Sequence, residues 1–208
     1  ISVSAFLLNR SSDLSLIQKS GRAEAVVETD KALVSDIQKG IRSDFFTNLA
    51  TFAAAGTNAE GTDLQDTLAQ CWGKLQVLFE DDTAQAVYFV NPEDIATYLG
   101  ASQITTQTAF GLNYIENFLG LGTVIITSRV TKGTVIATAK DNLILYYISM
   151  NGGDLPTEFS LTSDQLGYVG VHSFVTNERA QSEILAMSGI QFLVEYGDGV
   201  VLGEINPQ

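Results

Sequence analysis

The run from Asp30 to Phe52 constrains the fold of this 208-residue chain more than any other stretch. Val34, Ile37, Ile41, Phe45, Leu49 and Phe52 recur at helical spacing. At about 100° per residue they share one narrow arc, with Leu33 at its edge. At about 1.5 Å per residue the spacing predicts a single helix roughly 35 Å long. That is long for a domain of this size, and it would serve as a spine for other elements. Thr29 or Asp30 can cap its start with a side-chain oxygen. Gly40 sits mid-helix at a modest propensity cost. Phe46 lies about 100° off the stripe and needs a second packing partner.

Ala53–Gly61 is rich in small residues and reads as a linker. Thr62–Gln65, sequence TDLQ, fits a capping box with Thr62 at the N-cap and Gln65 three residues in. Leu64, Leu68, Cys71, Trp72, Leu75, Leu78 and Phe79 then fall on one helical face. Cys71 belongs to that stripe and reads as a buried core thiol.

The segment VYFVNPEDIATYLG, Val87–Gly100, changes period at Asn91-Pro92. Ala86–Val90 reads as a strand and Pro92–Leu99 as a helix, with Asn91 as N-cap, Pro92 at the first helical position and Gly100 as the stop. Such strand-to-helix corners often carry active sites in α/β enzymes. Ala101–Asn113 is polar, rich in Thr and Gln, and reads as a long loop. Beyond it the pattern predicts a short helix at the start of YIENFLG, a strand at Thr123–Thr127, a turn at Thr131–Gly133, a strand at Thr134–Ala137 and another in LILYYI. The last third is β-rich, and Ile190–Ile205 reads as a hairpin turning at Gly197-Asp198-Gly199. At the other end, Ser2–Leu8 alternates loosely like a strand. There is no internal repeat.

Charge limits the partners. The net charge is −13, with 24 acidic and 11 basic residues. A surface this acidic repels phosphate backbones and disfavours specific binding of nucleic acid, although it does not prevent a protein from enclosing it. Arg10, Lys19 and Arg22 cluster near the start. They make a basic arm on an acidic body, suited to a solvated loop or to docking on an acidic neighbour. Apolar runs such as Leu143–Ile148 are far short of the roughly 20 residues a membrane helix needs. The single cysteine excludes an intrachain disulfide. The chain opens at Ile1 without methionine or a signal-peptide pattern, so a cleaved or longer product is expected.

Residues that could carry chemistry are sparse. With one His and one Cys, a Cys/His zinc site cannot be built. His172 lies in a strand-like run, and no G-x-S-x-G elbow accompanies it. GLGTVI supplies Gly120 and Gly122 but has Ile125 where a dinucleotide fingerprint needs its third glycine. Glu80–Asp82 and the Asp198 turn read as solvated carboxylates without EF-hand spacing. No pair among the acids stands out as a glycosidase pair. No catalytic, cofactor-binding or metal-ligating residue is assigned, and no cofactor is expected.

Several segments, in this order and spacing, resemble a known family: TDKALVSDIQKGIRSDFFTNLA, AQCWGKLQVLFEDD, AVYFVNPEDIATYLG, FLGLGTVIITSRVTKGTVIATAKDNLILYYI and FLVEYGDGVVLGEI. They are similar to the major capsid proteins of tailed bacteriophages over about residues 23–205. The resemblance implies the α+β Johnson fold, the Hong Kong ninety-seven type. That fold has a peripheral domain with a spine helix and long β-sheet, and a mixed α/β axial domain. On this layout 1–28 is the remnant of an extended loop or arm. Residues 29–61 and 166–208 form the peripheral domain, and 62–165 the axial domain. The family's N-terminal arm and outgoing loop strand would precede Ile1. Lys19 lies in the segment where some members form a lysine–asparagine cross-link, without a residue-level match to it.

The resemblance implies a structural subunit that self-assembles into hexamers and pentamers of an icosahedral head around double-stranded DNA. It would be built in the host bacterial cytoplasm with scaffolding and portal proteins, reside in the virion, and use neither membrane nor catalysis. Candidate subunit contacts are Arg10, Lys19, Arg22, Phe46, Thr105, Thr106, Gln107 and Phe110, the last four near the five- or six-fold axes. Two alternatives stand beside it: an encapsulin-type nanocompartment shell, which shares the fold, and a small α/β hydrolase using His172 or an acidic pair.

Overall fold

A computed structural model describes residues 4–11, 22–80, 84–101, 106–109, 112–176 and 181–206. The chain divides into two compact units, 1–43 with 145–193, and 44–144 with 194–208.

The first unit carries strand β1 (Ser4–Ser11) and the first part of helix α1 (Arg22–Ala55). It also holds most of β8 (Leu143–Tyr147), the short helix α4 (Asp154–Glu158), β9 (Thr162–Ser163), β10 (Gly170–Thr176) and β11 (Gln181–Val194). Its five-stranded sheet runs β1-β11-β10-β9, with β8 also paired to β11. Alternation builds the core. Ile184, Ala186, Ser188 and Ile190 of β11 are buried, while the residues between them are half-buried, as a sheet covered on one face requires. Leu33, Ile37 and Ile41 of α1 pack with Val169, Ile184, Ala186 and Ile190. Asp164 stitches the approach to β10. Its Oδ1 accepts the N–H groups of Gly167, Tyr168 and Val169, and its Oδ2 accepts Gln38 Nε2 from α1 at 3.1 Å.

The second unit carries the remainder of α1, then β2 (Thr57–Gly61), α2 (Leu64–Leu78), β3 (Ala86–Val90) and α3 (Pro92–Ala101). It continues with β4 (Gln107–Ala109), β5 (Leu112–Phe118), β6 (Gly122–Ile126), β7 (Thr134–Ala139) and β12 (Val200–Ile205). The seven strands form a mixed sheet in the order β2-β12-β7-β3-β6-β5-β4. Helices cover both faces. Leu64, Leu68, Cys71 and Leu75 of α2 pack with Tyr88, Val90, Val135, Ala137 and Val201. Phe46, Leu49 and Ala53 of α1 pack with Phe89, Ile136 and Val200. Burial on both faces explains why β3 reads as an unbroken apolar run.

Several sequence expectations need correction. The long helix spans Arg22–Ala55 rather than starting at Asp30. Asp30 instead accepts a hydrogen bond from Ser173 Oγ. The "linker" ends in β2, whose parallel pairing with β12 draws it into the sheet. The cap of α2 is Asp63, not Thr62. Asp63 Oδ1 accepts from Asp66 N, and Thr62 N donates to Asp66 Oδ2. Gly100 does not stop α3, which continues to Ala101. The described part of Ala101–Asn113 holds β4 and the start of β5, paired antiparallel, rather than a loop. YIENF is strand, not helix. Its ladder with β6 supplies a tertiary partner that local pattern does not reveal.

The predicted hairpin at 190–205 is not one. β11 belongs to the five-stranded sheet and β12 to the seven-stranded one. Val200 and Val201 are both fully buried and β12 is hydrogen-bonded on both edges, to β2 and β7. No edge is left for β11. The layout that joined 166–208 in one domain is therefore divided at Leu193/Val194.

Candidate functional site

The polar groups of the corner at Asn91 bind their own neighbours. Asn91 Oδ1 accepts Glu93 N at 3.0 Å, and its Nδ2 donates to Val130 O at 2.8 Å. Asp94 Oδ2 accepts Gly133 N at 2.8 Å. Lys132 pairs with Glu93 at 2.8 Å. The hydrogen bond and charge of Lys132 hold the Glu93 carboxyl below its usual range, and Glu93 raises the ammonium in return. These contacts pin the turn between β6 and β7 to the start of α3.

Gly120 and Gly122 serve the β5–β6 reversal. Asn117, Leu119 and Gly120 all have positive φ. A side chain on Gly122, whose φ is 150°, would collide with the Ala86 carbonyl oxygen. The glycines allow a tight turn and a close strand approach rather than a phosphate cradle.

The reactive side chains are likewise occupied. Cys71 is fully buried and desolvation pushes its thiol up to about 12, so it is protonated and shielded at neutral pH. Tyr88 is pushed up chiefly by burial. His172 lies 3.0 Å from the Ser160 carbonyl through Nδ1, which must therefore carry the proton, and its ring stacks on Phe174. Partial burial raises the Asp30 carboxyl, against the opposing hydrogen bond from Ser173. Among the described residues no three of His, Cys, Asp and Glu gather as a metal-binding group.

The surface is more informative. Arg10 lies in β1 opposite Ile184, and Arg22 opens α1. Lys19, Thr105 and Phe110 lie outside the described residues. Thr106 and Gln107 are exposed beside the seven-stranded sheet's edge, where Tyr114 Oη donates to Gln107 Oε1 at 2.8 Å. Phe46 is not a surface residue. It is buried, edge-on to Phe45 and Phe89, with the Arg129 guanidinium 5.9 Å from its ring centre. Its second packing partner is within the chain.

Sequence reasoning missed two exposed apolar features. Trp72, assigned to the buried stripe of α2, is 40% exposed, and Val77 is 74% exposed. Leu145, Tyr146, Tyr147 and Ile148 are consecutive, and each is 43–55% exposed. Four large apolar neighbours without the alternation of a half-buried strand were the available signal.

No family model matches the chain, and no curated protein matches it. Solved structures do. The holo-SrpI encapsulin complex of Synechococcus elongatus superposes with a TM-score of 0.64 at 13% identity, covering 99% of this chain and 74% of that one. The capsid of Cyanophage A-1(L) gives 0.61 at 10% identity, covering 99% and 77%. The virus-like particle of Pyrococcus furiosus gives 0.56 at 12% identity, covering 97% and 76%.

The chain has the Hong Kong ninety-seven capsid fold. Its spine helix is α1, Arg22–Ala55, which at 34 residues extends beyond both ends of the expected Asp30–Phe52. At such low identity the capsid fold alone is shared. Proteins of this fold include both phage capsids and encapsulin shells.

Proposed function

We propose that this chain is a shell-forming structural subunit, a phage or prophage major capsid protein that assembles into hexamers and pentamers around double-stranded DNA. The carrying observation is the fold shared with the cyanophage capsid across nearly the whole chain. The net charge of −13 supports it, because a container for packed DNA must not adhere to its contents. In this reading the five-stranded unit is the peripheral domain and the seven-stranded unit the axial domain. The basic residues Arg10, on β1, Lys19, and Arg22, at the start of α1, are the contacts to an acidic neighbour in place of a free arm over 1–28. Scaffolding and portal proteins are the expected partners, the host cytoplasm the place of assembly and the virion the final location.

The encapsulin match favours a second reading, a nanocompartment shell. Electron microscopy and light scattering of the purified protein test the shell itself. Mass spectrometry and nucleic-acid staining of its contents separate the two readings, DNA marking a phage head and enzyme cargo a nanocompartment. A chain that stays monomeric under all assembly conditions, scaffold included, overturns both. Charge reversal at Arg10, Lys19 and Arg22 should impair assembly and leave circular dichroism unchanged, whereas normal shells from that triple variant would remove the role assigned to these residues.

A further inference from the structure

Strand β8 is held on one edge only. Ile148 N donates to Gly189 O at 2.9 Å, and Glu195 N donates to Asn142 O at 3.1 Å. The two bonds step in opposite directions along the partners, so β8 runs antiparallel to β11. Because the Ile148 N–H points at β11, ladder alternation turns the N–H and C=O groups of Leu145 and Tyr147 outward. Among the described residues no strand pairs with that outer edge.

Both faces of the strand are also open. Ile148 lies over Gly189, where an added Cβ would stand 2.7 Å from Ile148 Cδ1. Tyr147 meets Tyr168 edge-on at 6.2 Å. Yet all four residues of Leu145–Ile148 stay about half exposed, and Leu193 of β11 is 39% exposed. No charged residue occurs from Leu143 to Gly153. Soluble proteins usually guard an open edge with Lys, Pro or a bulge. This edge has none of them.

We infer that the outer edge of β8, with Leu145, Tyr146, Tyr147 and Ile148, is a contact surface for the same strand of a second copy of this chain. The inference rests on the shell reading and names one of its contacts. Two copies each carrying −13 repel least where acidic charge is absent, and β8 is such a place. The outward N–H and C=O groups suit an antiparallel partner strand, and an identical edge is self-complementary across a two-fold axis. With Leu193, the exposed surface of these residues comes to roughly 450 Å² per copy, or roughly 900 Å² for the pair, the size of a small, transient contact.

Sedimentation velocity over a concentration series tests this on the full chain. Tyr146→Glu/Tyr147→Glu should weaken self-association at least about tenfold while circular dichroism shows the chain still folded. Val77→Glu, on the other unit, should leave association as in the wild type. Hydrogen exchange on the unmutated protein gives a readout independent of the variants, with amides at 145 and 147 slowing in the associated form. Assembly that survives the double variant, or amides at 145 and 147 that exchange equally fast in monomer and assembly, overturns the β8 contact and leaves the shell reading standing. A wild-type chain that never associates overturns both.

Discussion

Asn142 and Tyr196 hold each other through two hydrogen bonds across 54 residues of sequence. Tyr196 N donates to Asn142 Oδ1 at 2.7 Å, and Asn142 Nδ2 donates to Tyr196 O at 3.0 Å. Asn142 Nδ2 also reaches Thr138 Oγ1, whose hydroxyl donates to Gly199 O. The amide is buried, and the network ties the end of β7 to the turn before β12. Asn142→Ala would strand several buried groups at once. It should cost about 2–4 kcal/mol by urea denaturation, against about 1 kcal/mol for Thr138→Val.

Two glycines beneath α2 differ in what would oppose a side chain. At Gly203 a Cβ would meet Cys71 Sγ and Thr67 Cγ2, both at 2.7 Å. At Gly61 it would meet the backbone nitrogen of Thr67 in the first turn of the helix. Side-chain tips yield more readily than backbone. Gly203→Ala should cost about 1–3 kcal/mol, and Gly61→Ala more, as measured by thermal melts of both variants.

Cys71 makes stability fall in alkali. Its ordinary value is 9.0, and burial raises it to about 12 in the folded chain. Below about pH 9 the thiol is protonated in both states and its contribution is fully present. As pH rises from there toward 12, the unfolded chain releases the proton and the folded chain does not, so the contribution is lost. Tyr88 acts in the same direction at higher pH. Urea midpoints should drop as pH rises from about 9 toward 12, and less steeply in Cys71→Ala. Thiol reagents should label the native protein only as fast as it unfolds.

The corner at Asn91 should be sensitive in its amide and insensitive in its ion pair. Asn91→Ala loses a helix cap and the bond to Val130 O, and should cost about 1–2 kcal/mol by chemical denaturation. Lys132→Ala removes a pair that is well exposed on both sides, and the melting temperature should not change measurably.

The sequence was legible where one local rule settles the outcome. The stripe from Leu33 to Phe52 is a helix because its period is helical, and Asn91-Pro92 starts α3 because a side-chain cap and a fixed φ suffice. The interface candidates were less legible. Phe46 leaves the stripe and so reads as a contact candidate, and only β3 and Arg129 show what fills that side. Trp72 lies within the arc of α2 and reads as core, yet it is 40% exposed. Leu145–Ile148 read as an ordinary apolar strand, since exposure is set by what fails to pack on it.

The sequence by itself determined the helical spine, the start of α3, the acidic surface and the scarcity of catalytic groups, because these follow from residue spacing, capping chemistry and counting. Tertiary structure alone decided that Gln181–Val194 and Val200–Ile205 enter different sheets, that β4 and β5 pair, and that β8 keeps an open edge. The physical reason is that a strand's period is local, but its partners are not. Its hydrogen bonds and buried faces are supplied by residues distant in the chain, and which of them arrive is settled only when the whole core packs.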